Sequence, residues 1–217
     1  MSARRLVHLC LEGSRVRLRL HVEADAGPAF EQLAGEQRIL KWLVWDGPGT
    51  PAELCEHYRH AAFDGEHARD FRLGLEDLAT GALVGSLTLR FGGHPGQGDV
   101  GYWVGVAHQR RGFGGEALKL AAHLAFTHLA AEALTAWVFV GNEPSRRLLE
   151  RSGFTLVRSV PGRVLKQGRR VDEWHFVLLR SDWRRHFAAF RPTREEVGWS
   201  TEPEDPLEAA PRPFPRA

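Results

Sequence analysis

The sequence predicts a mixed α/β fold in one compact domain, and three observations carry that expectation. The chain has 217 residues, enough for one α/β domain with a real core and too few for two large ones. Apolar residues make up 43%, the composition of a globular rather than a disordered chain. Hydrophobic periodicity orders the elements as β, α, an antiparallel β run, β-loop-α-β-α, and a final β-β pair.

Each element has its own signal. Val16, Leu18, Leu20 and Val22 alternate with charged residues or His, the pattern of a half-buried strand. A mostly helical region follows, broken at Gly35 and at Gly-Pro-Gly-Thr-Pro (47–51). Residues 71–78 and 83–91 read as strands joined by a hairpin turn around Thr80-Gly81, and GGHPGQG (92–98) reads as a loop. Val100, Tyr102, Val104 and Val106 alternate on the next strand. The glycine-rich segment Gln109–Gly115 comes directly after it, and residues 117–129 read as an apolar-faced helix. Residues 134–140 form another strand. Asn142 can cap the short helix that follows, with Pro144 in its first turn and Gly153 at its C-terminal stop. Residues 154–160 and 172–179 are expected to pair, with 161–170 as their connection.

Residues 1–14 are expected to be an N-terminal extension and 15–183 the domain. Beyond Trp183 the composition shifts, with prolines at 203, 206, 211, 213 and 215, so 184–217 is expected to be a tail without a fixed fold.

Composition also excludes function classes. The formal charge is only +2, and the paired arginines are scattered along the chain, so no direct nucleic-acid partner is implied. Cys10 and Cys55 make neither a disulfide framework nor a metal knuckle. No apolar run approaches the roughly 18–20 residues that span a bilayer, and no secretory leader is evident, so a cytoplasmic protein is expected. Cys55, His57, His60 and His67 cluster in sequence, but their spacing matches no zinc-finger pattern, and no metal is expected.

The segment Gln109-Arg110-Arg111-Gly112-Phe113-Gly114-Gly115 carries the chemistry. Glycines let backbone approach a ligand, and the first helical turn points unpaired N–H groups and a positive dipole end at it. That combination suits phosphate or pyrophosphate, with Arg110 and Arg111 as countercharges at the rim. The plain alternative is a tight strand-to-helix turn with no ligand. A P-loop would need a Lys-Ser/Thr pair that is missing. A Rossmann fingerprint is met in letters by Gly112, Gly114 and Ala117, but the next strand ends in Gly141-Asn142 where a ribose-binding acid belongs.

Four motifs in register then resemble one family. Gln109-x-x-Gly112-x-Gly114 resembles the coenzyme A loop of the GNAT acetyltransferase superfamily. Asp99-Val-Gly-Tyr-Trp103 is similar to the strand before that loop in its RimJ/RimL-like branch. Asn142-Glu-Pro-Ser145 with Leu149-Glu-Arg-Ser-Gly153-Phe154 resembles the segment after it. Gly168-Arg-Arg-Val-Asp172 resembles the branch's closing hairpin, without its Asn. The similarity covers about residues 15–183.

The resemblance implies a GNAT fold, a twisted mixed and mostly antiparallel sheet with helices on both faces. It implies acyl transfer from an acyl-CoA, most simply acetyl-CoA, to a primary amine, with a protein N-terminus such as that of a ribosomal protein favoured. By the same resemblance, backbone N–H groups of Arg110–Gly115 hold the pyrophosphate. The strand ending at Val104 and Val106 diverges from 134–140 to admit the pantetheine arm. Asn142 bonds that arm, and Ser145 lies near the thioester sulfur.

The reaction needs a neutral amine and a stabilised thiolate. An α-amine with pKa of about 7.7–8.0 is partly neutral already, and a thiolate of pKa near ~8.5 needs hydrogen bonding more than full protonation. Ser145 suits the leaving group, though a serine there also suits a local helix-start hydrogen bond. Many GNAT enzymes use a Tyr as the acid, but Phe154 fills the aromatic position after Gly153. Tyr102 could face the cleft or pack in the core. Asp99 is the candidate base through a water, or a solvated strand-edge carboxylate. The stretch 161–166 lacks the Glu of some relatives, leaving Asp172 and Glu173 as the next acids, with Asp172 read as structural. Trp42 and Trp45, in the 39–51 region, are candidate acceptor walls together with 161–170.

The partner is therefore an amine acceptor, either a protein N-terminus or a small molecule, with no membrane and with a homodimer left open. Rival readings keep the enzyme with a different acyl-CoA, such as succinyl-CoA, or make it a non-catalytic acyl-CoA-binding module.

Overall fold

The computed structural model describes residues 5–59, 61–64 and 69–200. Ten strands form one sheet: β1 (Arg5–Glu12), β2 (Val16–Leu20), β3 (Ala62–Asp64), β4 (Arg69–Asp77), β5 (Leu83–Phe91), β6 (Gln97–Val104), β7 (Ala133–Phe139), β8 (Thr155–Lys166), β9 (Arg169–Leu179) and β10 (Arg194–Ser200). The helices are α1 (Ala26–Leu33), α2 (Gln37–Leu40), α3 (Pro51–Arg59), α4 (Phe113–Thr127), α5 (Glu143–Arg151) and α6 (Arg180–His186). The strand order is β10-β1-β2-β4-β5-β6-β7-β9-β8, with β3 pairing β4. Among the described residues only β6 and β7 pair in parallel, because the β6-α4-β7 crossover returns the chain in the same direction.

Helices cover both faces, as the resemblance implied. On one face α4 buries Leu118, Ala121, Leu124 and Ala125 against Leu73, Leu87 and Val100 of the sheet, with Leu149 of α5 and Trp183 of α6 in the same core. On the other, α1 to α3 pack smaller clusters around Leu33, Leu40 and Leu54 with Trp103. A buried relay anchors that second layer: His21 Nδ1 is 2.8 Å from Asp25 and its Nε2 is 2.8 Å from Ser86 Oγ on β5. Arg19 adds two 2.8 Å hydrogen bonds to Asp25. Burial lowers the pKa of His21 and keeps its imidazole neutral despite the carboxylate beside it.

Several local expectations hold. Gly81 turns the β4–β5 hairpin at φ 71°, and its N–H donates to Asp77 O at 2.8 Å. Helix α5 stops at Gly153 in a Schellman motif, in which Phe154 N–H donates to Leu149 O and Gly153 N–H to Glu150 O.

Other boundaries change. Residues 161–170 are mostly strand rather than a connection: β8 and β9 run on to a tight turn at Gln167 and Gly168, both at positive φ, with a bulge between Val160 and Val164. That two-residue turn matches the twist of the hairpin, which is why the strands continue into it. Helix α4 starts four residues before the periodic pattern, because its first turn carries glycines rather than apolar residues.

Strands also form on both sides of the expected domain. Arg5–Glu12 pairs with β2, and Arg194–Ser200 pairs antiparallel with β1 at the sheet edge. The sequence REEVGWS offers only Val197 and Trp199 to the core, so the free edge of β1 rather than periodicity makes it a strand. The proline-rich residues 201–217 lie outside the described residues. No helix among the described residues is long and apolar enough to cross a membrane.

Candidate active site

The strand-to-helix loop is shaped before any ligand is considered. Gln109 turns its side chain back so that Nε2 donates to Val104 O at 3.0 Å, which makes it a brace for the loop. Arg110 and Gly112 both adopt left-handed backbone, φ 62° and 91°. Gly112 is the N-cap of α4, a position where this φ strains any side chain. The first intrahelical bond runs from Glu116 N–H to Gly112 O, so the N–H groups of residues 113–115 have no helical acceptor.

Gly114 and Gly115 are small for a second reason. A Cβ at Gly114 would stand 3.0 Å from Leu148 of α5, and one at Gly115 3.4 Å from the same side chain. Phe113 is buried in the core, so only its backbone faces the loop. Val104 packs beside Gly114, and Val106, in a short 3-10 turn, packs on the α2 cluster. Arg111 stands 3.7 Å from Asp77 and over the Phe113 ring, while Arg110 is exposed at the rim.

The loop opens into two shallow clefts of about 330 and 360 Å³. The first carries Arg15, Lys119 and Arg151 among its walls, three cations that the motif reading did not single out. Arg15 reaches it because Glu116, in the first turn of α4, holds the β1–β2 turn. Its carboxylate accepts from Ser14 N (2.6 Å), Ser14 Oγ (2.7 Å), Arg15 N (2.8 Å) and Val16 N (3.0 Å). Burial would raise its pKa, but these donors outweigh burial and hold the carboxyl below its usual value. A glycine-lined helix start with three unpaired N–H groups and a basic rim fits a phosphorylated, anionic ligand.

Beyond the loop the sheet splits. β6 and β7 pair only at Gln97–Asp99 with Ala133–Thr135, after which β6 keeps to β5 and β7 to β9. The start of α5 lies across the gap. Asn142 Oδ1 accepts Ser145 N–H at 3.3 Å, and the Asn142 amide nitrogen has no hydrogen bond among the described residues. Ser145 Oγ meets the hydroxyl of Tyr102 from β6 at 2.8 Å. Burial pushes the Tyr102 pKa up to about 12 while the Ser145 bond pulls it down, so the phenol stays protonated in the physiological range. The two residues read separately in the sequence are therefore one hydrogen-bonded pair.

Asp99 lies on the other face of β6, since strand side chains alternate and 99 and 102 differ in parity. Its Oδ2 accepts from Thr135 Oγ1 at 3.1 Å. The same face carries Glu173, which the sequence offered only as one of the next acids after Asp99. Glu173 is 1% exposed and pairs with Arg163, whose guanidinium lies 3.6 Å over the Trp137 ring. That ring stacks on His175 at 4.0 Å. Burial raises the Glu173 pKa; Arg163 works against this and the charge of Asp99 adds to it. Alternation along β9 would turn Asp172 inward with Trp174, Phe176 and Leu178, so the pattern does not mark Glu173 as buried; Asp172 is instead exposed and accepts from Gly162 N–H at 2.7 Å.

The Trp42 ring lies 3.8 Å from the Cβ position of Gly141, and Trp45 packs with Trp103. Lys166 Nζ bonds Asp46 at 2.7 Å and Trp45 O at 3.3 Å, tying the 39–51 region to the β8–β9 turn. Of the cysteine–histidine cluster, Cys55 Sγ–H donates to Glu23 at 3.3 Å and His57 O accepts from Arg72; His60 and His67 lie outside the described residues.

An anion-binding helix start beside a split parallel pair, on a sheet of this order, defines a class: enzymes that move an acyl group onto nitrogen. Residues 15–155 match the family model described as an acetyltransferase (GNAT) domain, and the chain belongs to that family as an N-acetyltransferase. It is 30% identical over 145 residues to the uncharacterized N-acetyltransferase YoaA of Bacillus subtilis, covering 66% of this chain and 81% of YoaA. It is 25% identical to YdaF of the same organism, provisionally named a ribosomal N-acetyltransferase, over 80% of this chain and 96% of YdaF. Among solved structures, Mycobacterium smegmatis RimJ in complex with CoA-disulfide superposes with a TM-score of 0.67 at 20% identity, over 82% of this chain and 88% of that one. These matches bear out the family resemblance read from the motifs.

Proposed function

We propose that the enzyme transfers acetyl from acetyl-CoA to the α-amine of a protein N-terminus. The observation that carries this reading is the Tyr102–Ser145 pair set across the gap between β6 and β7. The N–H groups of residues 113–115, with Arg15, Lys119 and Arg151, bind the phosphates at one end of the gap. The Asn142 amide orients the arm that enters it. Tyr102 donates its hydroxyl proton to Ser145 Oγ, which frees the serine O–H to hydrogen-bond the developing thiolate as the carbon–sulfur bond breaks. Asp99 takes the proton lost by the amine through a bridging water, and Trp42 and Trp45 wall the acceptor entrance.

A protein α-amine is favoured over a polyamine by two observations. The buried acid on the acceptor face, Glu173, is paired with Arg163, and Asp46 is paired with Lys166, so neither carboxylate is left free for a polycation. YdaF, the ribosomal relative, points the same way.

The test is thiol release from acetyl-CoA with short peptides bearing a free or a blocked N-terminus, and with spermidine. Turnover on free peptides, abolished by blocking, is expected. Turnover on spermidine alone would overturn the acceptor, and preference for succinyl-CoA would overturn the donor.

A further inference from the structure

We propose that His123, His128 and Glu195 bind one divalent transition-metal ion, zinc being the best match, at the far end of α4 from the phosphate loop. The three side chains come from separate places. His123 is on the last turns of α4, His128 is the residue that ends the helix, and Glu195 is on β10. Five residues apart on a continuous helix, two side chains would point about 140° away from each other. His128 is the C-cap, still right-handed but at φ −110°, and its ring centroid lies 6.1 Å from that of His123. The two Nε2 atoms converge on one oxygen, with His123 2.9 Å and His128 2.6 Å from Glu195 Oε1. All three donor atoms lie within 4.8 Å of one another.

Two imidazoles and a carboxylate form a donor set that zinc accepts readily, at about 2.0–2.2 Å from each atom. Around a tetrahedral ion such atoms stand about 3.3–3.5 Å apart. The carboxylate oxygen is about 0.4–0.9 Å too close to the nitrogens, so Glu195 must draw back by about that much to admit the ion. His123 is only 8% exposed, and its ring sits between His128 and the edge of Phe190, which fixes one ligand. His128 and Glu195 are more open, with side chains 25% and 35% exposed, so water can supply a fourth ligand. His123 lies ten residues from the start of α4, about 15 Å by helical rise, so the ion takes no part in acyl transfer. It ties β10, which lies beyond the segment matched by the family model, to the central helix.

The experiment uses the full chain stripped with a chelator and dialysed. Zinc titration by calorimetry is expected to show one tight site, and cobalt(II) to give the intense visible absorption of a tetrahedral complex. Zinc at 100 times its Kd should raise the folded-to-unfolded ratio about 100-fold, read as a higher Tm. Glu195→Gln and the more exposed His128→Gln, each checked for folding by circular dichroism, should lose the site and the Tm rise. No zinc binding by the native chain, or equal binding by the native chain and both variants, would overturn the proposal and leave a hydrogen-bonded clasp.

Discussion

Ser145 holds two bonds at once, one through its backbone N–H to Asn142 and one through its hydroxyl to Tyr102. The sequence allows Ser145 both a local helix-start bond and a role at the leaving group. They use different atoms, so both can hold. Ser145→Ala should lower kcat about 10- to 100-fold with little change in the KM for acetyl-CoA, the loss expected for one hydrogen bond to a developing charge. Tyr102→Phe should lower kcat less, since the serine hydroxyl remains. Equal rates for native and Ser145→Ala enzyme would remove the leaving-group role. Asp99→Asn should lose most activity at low pH, and the deficit should narrow as pH passes the amine pKa of about 8, where the acceptor no longer needs a base.

Glu116 shows a different kind of single-residue dependence. Its folded pKa is lowered, so it contributes stability above the ordinary glutamate pKa, and that contribution fades as pH falls through the folded value. Glu116→Gln should therefore cost about 1.5–3 kcal/mol at pH 7, by the usual worth of charged hydrogen bonds, and less at an acid pH below the ordinary glutamate range. Urea unfolding at both pH values would measure the difference. A cost equal at both would contradict it.

At the scale of elements, the β6-loop-α4 unit was legible because its requirements are local. Gly112 must be glycine for its φ of 91°, and Asn142 must be a cap, whatever lies elsewhere. Gly112→Ala should destabilise the fold by about 1–2 kcal/mol and raise the KM for acetyl-CoA, because the left-handed turn aims the free N–H groups. An unchanged KM would show that the loop tolerates a different path. The other half of the site was not legible for a physical reason. Arg163, Trp137, His175 and Glu173 meet only through the register of β7, β8 and β9, and a bulge between Val160 and Val164 resets that register. Arg15 likewise joins the cleft beside the loop because Glu116, a hundred residues on, grips its turn. The sequence pattern carries the loop and its helix, while the face around Glu173 depends on long-range pairing.

For the whole molecule, the sheet edge is the part that sequence reading placed outside the fold. β10 is charged and short of apolar residues, so no periodicity marks it. It still covers β1 and brings Trp199 edge-on to Phe71. A chain ending at Thr193 should lose the half-buried Val197 and Trp199, about 2 kcal/mol, and so about 4–8 °C in Tm. It should also bare the β1 edge beside the 54%-exposed Val7, and associate at high concentration in size-exclusion chromatography. An unshifted Tm would mean that β10 is dispensable.

The pairing of β1 with β10 has a topological consequence. Arg5 faces Ser200 across a ladder, so the first and last described strands end side by side. A peptide of a few residues could join them, and the chain could be reopened in the exposed loop at 92–96, between β5 and β6. Such a circular permutant would keep the unit from β6 to α5 unbroken on one stretch of chain.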